Sequence, residues 1–181
     1  MTDSWYEVTH GTDLEQGDIF FECPIYRVER TMTEDDGERA EVVVEYSHVV
    51  VLTQTCDLEN NKVDEVLVAA VITYSEIVRR DGQQNPTLKS KNFRKSAVDG
   101  VLPPYSVLQE RTEAPELPWS LVDFHGLFSM PKVLLMEVAA SAGDRLRLVP
   151  PYKEHLAQAF ARYIMRVGLP ETLDEFLDVK A

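Results

Sequence analysis

Two short runs of apolar residues without polar interruption constrain the fold of this chain most strongly. They occupy residues 49–52 (VVVL) and 66–72 (VLVAAVI). Strands buried on both faces lose the alternation of polar and apolar residues, so runs of this length and composition are typical of central strands. Both are far shorter than the roughly 20 residues that cross a bilayer. The chain is therefore predicted to fold around a sheet and not to enter a membrane.

Further strands are expected where short apolar stretches lie between turn residues, at 19–23, 41–46, 105–109, 121–128 and 145–149. Pro24 is expected to end the first of these strands, and Ser47 and His48 are expected to separate 41–46 from the buried run that follows. Residues 33–37 (TEDDG) are predicted to form an exposed hairpin tip, because Asp-Gly tolerates the backbone angles of such turns. Residues 56–62 are expected to be a loop, and 131–140 fit either a helix or a strand.

The clearest predicted helix lies near the end of the chain, where apolar residues recur at helical spacing. Its apolar stripe comprises Tyr152, Leu156, Phe160, Tyr163, Ile164 and Val167. Gly168 and Pro170 form a stop signal, and residues 172–175 (TLDE) match a capping box that would begin a second short helix. The prediction is one α+β domain over 1–181, with a β-rich core over 14–150 and helices over 151–181.

Charge is distributed unevenly along the 181 residues. The chain has 18 Lys and Arg against 31 Asp and Glu, a formal net charge of -13, and most of the excess lies in the first 80 residues. Acidic residues cluster at 34–36 and around Asp13, Glu15 and Asp18. This pattern predicts a solvated acidic face or a docking surface for a basic protein partner. It disfavours nucleic acid, since the basic clusters are short: Arg79 with Arg80, and residues 89–95.

The number of cysteines and the residues at the start of the sequence indicate a cellular compartment. Cys23 and Cys56 are 33 positions apart with no Cys-x-x-Cys spacing, so neither a disulfide framework nor a four-cysteine zinc site is predicted. The first residues, MTDSWYE, are acidic and do not resemble a secretory signal. We therefore expect a cytoplasmic protein without a metal or cofactor.

The order of segments resembles the MazF/PemK toxins. The matching segments are 17–19 (GDI), 49–53 (VVVLT) and 66–73 (VLVAAVIT), and the resemblance covers residues 14–150. Those toxins are small SH3-like barrels that cleave single-stranded RNA, so it implies a partly open SH3-like barrel and a possible homodimer. The end of the chain, at 147–152 and 166–170, is similar to the tails of uncharacterised bacterial proteins.

The resemblance also implies candidate catalytic residues, although this chain departs from the family at its arginines. Ser47 and His48 stand where the family has an arginine before the Val-rich strand, and the later arginine is absent after His125. Thr73 matches the threonine that closes the second strand. A divergent endoribonuclease would use His48, Thr73 and His125, with residues 89–95 holding phosphate. The alternative is that each histidine is an ordinary residue at a strand end.

The most unusual string in the chain follows the first buried run, and it comprises the candidate binding residues Thr53, Gln54, Thr55, Cys56 and Asp57. Cys56 could be a nucleophile if His48 lowered its pKa. It could instead bind a metal together with Asp57, a histidine and Cys23. The third interpretation is a small buried cysteine beside an Asx turn.

These observations leave three functional hypotheses. The leading one is a non-catalytic binding or regulatory module of a bacterial toxin-like or defence-like multi-protein system. It would act through the acidic face or the mouth at residues 53–57, because the family arginines are missing and the charge is -13. The alternatives are the divergent endoribonuclease and a thiol- or metal-dependent enzyme at Cys56.

Overall fold

The computed structural model describes residues 4–33 and 37–165. Its strands are β1 (Tyr6–Thr9), β2 (Asp18–Thr33), β3 (Gly37–Val51), β4 (Glu65–Thr73), β5 (Tyr105–Leu108), β6 (Ser120–Pro131) and β7 (Arg145–Leu148). Its α-helices are α1 (Thr55–Glu59), α2 (Tyr74–Asp81), α3 (Lys91–Val98), α4 (Lys132–Ala142) and α5 (Tyr152–Ile164), and a short 3₁₀ helix spans Pro86–Lys89. The predicted α+β class and the C-terminal helix α5 are confirmed. The predicted second helix, at 172–175, lies outside the described residues.

All seven strands form one antiparallel sheet in the order β1-β7-β2-β3-β4-β6-β5. The sheet does not close into a barrel, because β1 and β5 are its two edges and share no strand pairing within the described chain. The edges nevertheless approach each other, since the Tyr6 hydroxyl donates a hydrogen bond of 2.7 Å to the carbonyl of Gln109, just beyond β5. The SH3-like form of the barrel stays a prediction.

Strands β2 and β3 form a long hairpin, and no other strand of the described chain pairs with its outer half. Strand β7 pairs with β2 only at Asp18 and Ile19, and β4 pairs with β3 only from His48 to Val51. The remaining two-stranded part, from the Pro24–Tyr46 pair to the Thr33–Gly37 pair, is called the arm below. Its end confirms the predicted hairpin at 33–37, of which residues 34–36 lie outside the described chain.

Two expected strand ends are wrong. Strand β2 continues through Pro24, because one edge of β2 is open there and a residue without an N–H can be tolerated at an open edge. Strand β3 continues through Ser47 and His48, and the irregularity lies in its partner β2 instead. The predicted loop at 56–62 contains the short helix α1, and the undecided segment 131–140 is helical as α4.

Two β-bulges interrupt the sheet. In β2, Phe21 and Glu22 lie between the Phe20–Val49 and Cys23–Ser47 pairs, and Glu22 has a left-handed backbone with φ of 49°. In β6, residues 124–126 bulge, because Leu127 pairs with Ala69 of β4 whereas Asp123 pairs with the next residue, Ala70. Gly126 lies in this second bulge, and a Cβ atom there would come within 2.9 Å of the Ala70 Cβ. Bulges of this kind often re-aim side chains beside functional sites.

Helices cover the sheet on both faces. On one face, Leu156 of α5 packs into a core that contains Phe124 and Leu148. On the other face, Leu135 and Ala139 of α4 pack into a second core. A third, smaller core lies under α2 and α3. None of the described helices has the length and apolar character needed to span a membrane.

A buried ion network ties the start of β2 to β7. The carboxylate of Asp18 is fully buried and accepts hydrogen bonds from the guanidinium groups of Arg145 and Arg147, at 3.1 and 3.0 Å. It also accepts one from the backbone N–H of Glu15. The Glu15 side chain pairs with Arg147 and Lys153. Asp18 is therefore not part of an exposed acidic face, and residues 34–36, the other acidic cluster, lie outside the described chain.

Candidate functional site

A polar cleft of about 580 Å³ lies where the arm leaves the rest of the sheet. One wall comes from β2 and β3, the other wall comes from α2, and β4 and β6 form the floor. The lining side chains that carry charge or an imidazole ring are Glu22, Arg27, His48, Glu76, Arg79, Arg80 and Asp123. Residues of both β-bulges, Glu22 and Gly126, line the cleft. The two irregularities of the sheet therefore meet at a single place.

His48 is held at the wall of the cleft by the bulge in β2. Its Nδ1 accepts a hydrogen bond of 3.1 Å from the backbone N–H of Glu22, and the Glu22 carboxylate lies 3.4 Å from the same nitrogen. The ring also meets the edge of Phe21. Because Nδ1 is an acceptor in this arrangement, the neutral ring carries its proton on Nε2. The left-handed backbone of Glu22 thus presents His48 as a hydrogen-bond donor through Nε2.

Three guanidinium groups reach the cleft from opposite walls. Arg27, on the arm, pairs with Glu45 at 3.0 Å and lies over the ring of Phe128. Arg80, on α2, forms a two-pronged pair with Asp81. Arg79 has no ion-pair partner among residues 4–33 and 37–165, and it is exposed. The two existing pairs are solvent-exposed, and such pairs contribute about 0–1 kcal/mol each, so another anion can replace their carboxylates at little cost.

Helix α2 is positioned by a capping box at its first turn. The Thr73 hydroxyl accepts a hydrogen bond from the Glu76 backbone N–H, and the Glu76 carboxylate accepts one from the Thr73 backbone N–H. The hydrogen bond from the Thr73 side chain is the main cause that lowers the pKa of Glu76, and the positive charge of Arg79 lowers it further. Thr73 therefore orients the helix that carries Glu76, Arg79 and Arg80.

Replacing Thr73 by alanine is expected to lower the free energy of unfolding by about 1 kcal/mol at neutral pH, as for other helix caps. Since the folded-state pKa of Glu76 is lowered, its stabilising contribution is present above its unfolded pKa of about 4.3 and is lost as the pH falls through the folded value. The effect of the substitution should therefore shrink at about pH 3. Urea unfolding at both pH values measures it. Thr73→Ser is the matched variant that keeps the hydroxyl; a loss as large as that of Thr73→Ala would contradict the cap.

The three candidate catalytic residues do not converge as a set. His48 lines the cleft, whereas Thr73 is occupied by the helix cap. His125 hydrogen-bonds to Asp123 at 3.1 Å and packs edge-on against Tyr105 and Tyr163. Asp123 lines the cleft although His125 is not among its lining residues. Of the three, only His48 thus belongs to the cleft wall directly.

The candidate binding residues of the segment that contains α1 lie away from the cleft wall. Thr53 and Thr55 accept hydrogen bonds from the backbone N–H groups of Leu67 and Gln16, and Gln54 is the N-cap residue of α1. Asp57 pairs with Lys62. The hydroxyl groups of both threonines thus hold this segment against neighbouring parts of the chain.

The two cysteines lie in different environments. Cys56 is exposed, and its sulfur contacts Gln54 and Asp57, so the structure does not bring it into contact with His48. Cys23 is buried against Met130, and burial raises the pKa of its thiol to about 11. Within the described ranges, no three His, Cys, Asp or Glu side chains cluster as metal ligands.

The basic segment 89–95 does not line the cleft. It spans the end of the 3₁₀ helix and most of α3, where Arg94 donates to the carbonyl of Lys89 and lies over the ring of Tyr74. The cations of the cleft come instead from Arg79 and Arg80, which form the other basic cluster of the sequence, and from Arg27. Sequence reasoning missed Arg27, because only the long hairpin brings it opposite α2.

The described chain is an α+β protein with an open, curled antiparallel sheet, a projecting arm, and a mixed-charge cleft at the base of the arm. Comparisons with family models, with curated proteins and with solved structures each find no match to it.

Proposed function

We propose that the protein binds a small phosphate ester of about nucleotide size in the cleft at the base of the arm. The observation that carries this proposal is the meeting of Arg27, Arg79 and Arg80 with His48 in one cleft, from elements that are far apart in the chain. Guanidinium groups bind phosphate oxygens through paired, charge-assisted hydrogen bonds. The Nε2 atom of His48 adds a further donor.

The size and lining of the cleft favour a ligand larger than free phosphate. Its volume of about 580 Å³ falls within the range of small-molecule sites in proteins. Tyr46 offers aromatic surface against which a flat ring can stack. Glu76 and Asp123 are carboxylates that can accept hydrogen bonds from sugar hydroxyl or base amino groups. A nucleoside monophosphate presents all three kinds of group.

The overall charge favours a small ligand over a long nucleic acid. A net charge of -13 repels a polyanion at long range, whereas a ligand with one phosphate experiences little of that repulsion. The expectation that nucleic acid is a poor partner is consistent with this proposal.

Calorimetric titration with AMP, CMP, GMP and UMP tests the proposal, with adenosine and inorganic phosphate as partial ligands. At least one nucleotide should bind with a Kd below about 1 mM, and more tightly than either partial ligand. Arg79→Gln should weaken that binding at least tenfold, since it removes a charged donor that has no ion-pair partner in the described chain.

Arg162→Gln is the matched control, because Arg162 is an exposed arginine on α5 that does not line the cleft. It should leave nucleotide binding unchanged. The proposal is wrong if none of the four nucleotides binds, or if the Arg79 and Arg162 variants lose affinity equally.

Cleavage of single-stranded RNA is a second candidate, supported by the placement of His48 beside the guanidinium groups. A fluorogenic RNA oligonucleotide should be cleaved by the wild type, and His48→Gln should slow cleavage at least 100-fold, as the loss of a general acid or base does. His155→Gln, on α5, is the control. Absence of cleavage, or equal rates for both variants, would remove this candidate without affecting the binding proposal.

A further inference from the structure

One face of the arm is apolar and exposed. Three directly opposed pairs share this face, since side chains two residues apart along a strand point the same way. They are Pro24–Tyr46, Tyr26–Val44 and Val28–Val42. The two tyrosines and three valines are between 43% and 67% exposed. None of the six side chains is charged, so the arm presents a continuous apolar strip to solvent.

We propose that this strip is the surface through which two copies of the chain associate. Its two tyrosines and three valines expose about 600 Å² in each copy, which is as large as the largest apolar patch on a typical monomer. Pairing two such strips would bury about 1,200 Å² in total, the lower end of the range for specific protein interfaces. The area therefore reaches the lower limit for a specific dimer.

The distribution of charge on the arm favours a second copy over a basic partner. Along the three pairs of the strip, the charged residues lie on the opposite face of the arm, and they are Arg27, Glu29, Glu41 and Glu45. The apolar strip itself therefore has no charge for a basic protein to complement. An uncharged, flat surface of the same shape is the better match, and a second copy supplies it.

Repulsion between two acidic chains does not prevent this arrangement. Two sheets packed face to face lie about 10 Å apart, with their outward faces on opposite sides of the pair. The carboxylates of the two arms would then be separated by clearly more than the Debye length of about 8 Å at physiological salt. A two-fold axis places Tyr26 and Val28 of one arm against the same strip of the other.

Tyr46 connects this interface to the cleft, because it belongs to both the apolar strip and the cleft lining. The inference stands independently of the phosphate ester proposal, since it depends only on the exposed strip.

Sedimentation equilibrium at about 50 µM protein tests the inference. The wild type should have twice the chain mass of 20.6 kDa, and Val28→Glu should raise the dissociation constant at least 100-fold by placing an unpaired carboxylate in the interface. Val133→Glu is the matched control: Val133 is 69% exposed on α4, against 66% for Val28, and this variant should remain dimeric.

A wild type that stays monomeric at this concentration overturns the inference. A different protein would then be the candidate partner of the strip. A dimer that persists in Val28→Glu also overturns it, because the interface would then lie elsewhere. Nucleotide titration of the Val28→Glu monomer keeps the two proposals separate. If nucleotide binds and the wild type forms no dimer, only the phosphate ester proposal is supported. If the wild type forms a dimer and nucleotide does not bind, only the dimer proposal is supported.

Discussion

The Asp18→Asn variant is expected to lose about 3–5 kcal/mol of unfolding free energy, the usual cost of removing one partner from a buried ion pair. Asp18 is the carboxylate that faces both Arg145 and Arg147, and its side chain is fully buried. Asparagine has nearly the same shape, but it cannot compensate two positive charges and turns an N–H toward a guanidinium group. Urea unfolding at neutral pH measures the loss.

The control for this variant makes the same chemical change at an exposed ion pair. Asp99 pairs with Lys95 on the surface of α3 at 2.9 Å, and Asp99→Asn should cost less than about 1 kcal/mol. Equal losses in the two variants would show that burial of the Asp18 network does not matter for stability.

Replacing Leu156 by alanine should lower the free energy of unfolding by about 3 kcal/mol, within the range for large-to-small substitutions in cores. Leu156 is 1% exposed and packs with Phe124 and Leu148 against the sheet. The cost includes a cavity, because the surrounding strands relax only partly around the missing methyl groups. Thermal unfolding or urea titration gives the value.

Ile164 lies on the same helix but is 61% exposed, so Ile164→Ala should change stability by less than about 0.5 kcal/mol. If both substitutions were equally mild, α5 would contribute little to the core.

Elements with a strong local signal could be predicted from the sequence. The buried runs are the inner part of β3 and most of β4, since continuous β-branched stretches have few alternatives to a buried strand. Helix α5 begins at Tyr152 as its apolar spacing indicates. The apolar residues of 131–140 fit the period of a helix and that of a strand equally well. Packing against the sheet selects the helix α4.

The cleft could not be predicted in the same way, because it depends on register. The two bulges change which residues of β2 and β6 oppose their partners, and nothing local in the sequence fixes an extra residue in a strand. Arg27 and Arg79 are 52 positions apart and meet only because the arm projects beside α2. Conversely, Thr73 is a candidate site residue only through the resemblance to the MazF/PemK toxins, and its capping role depends on Glu76 three residues later.

The position of β7 in the sheet has a consequence for synthesis of the chain. In the described chain β1 pairs with β7 alone, and β7 also pairs with the start of β2, so β1 has no strand partner until residues 145–148 are made. At about 5–20 residues per second, a ribosome needs on the order of ten seconds to cover that distance. During this interval the carboxylate of Asp18 is without its two arginines and an edge of β2 is uncovered. Because an uncovered strand edge is a site of aggregation, we expect the nascent chain to be prone to aggregation until residues 145–148 are available.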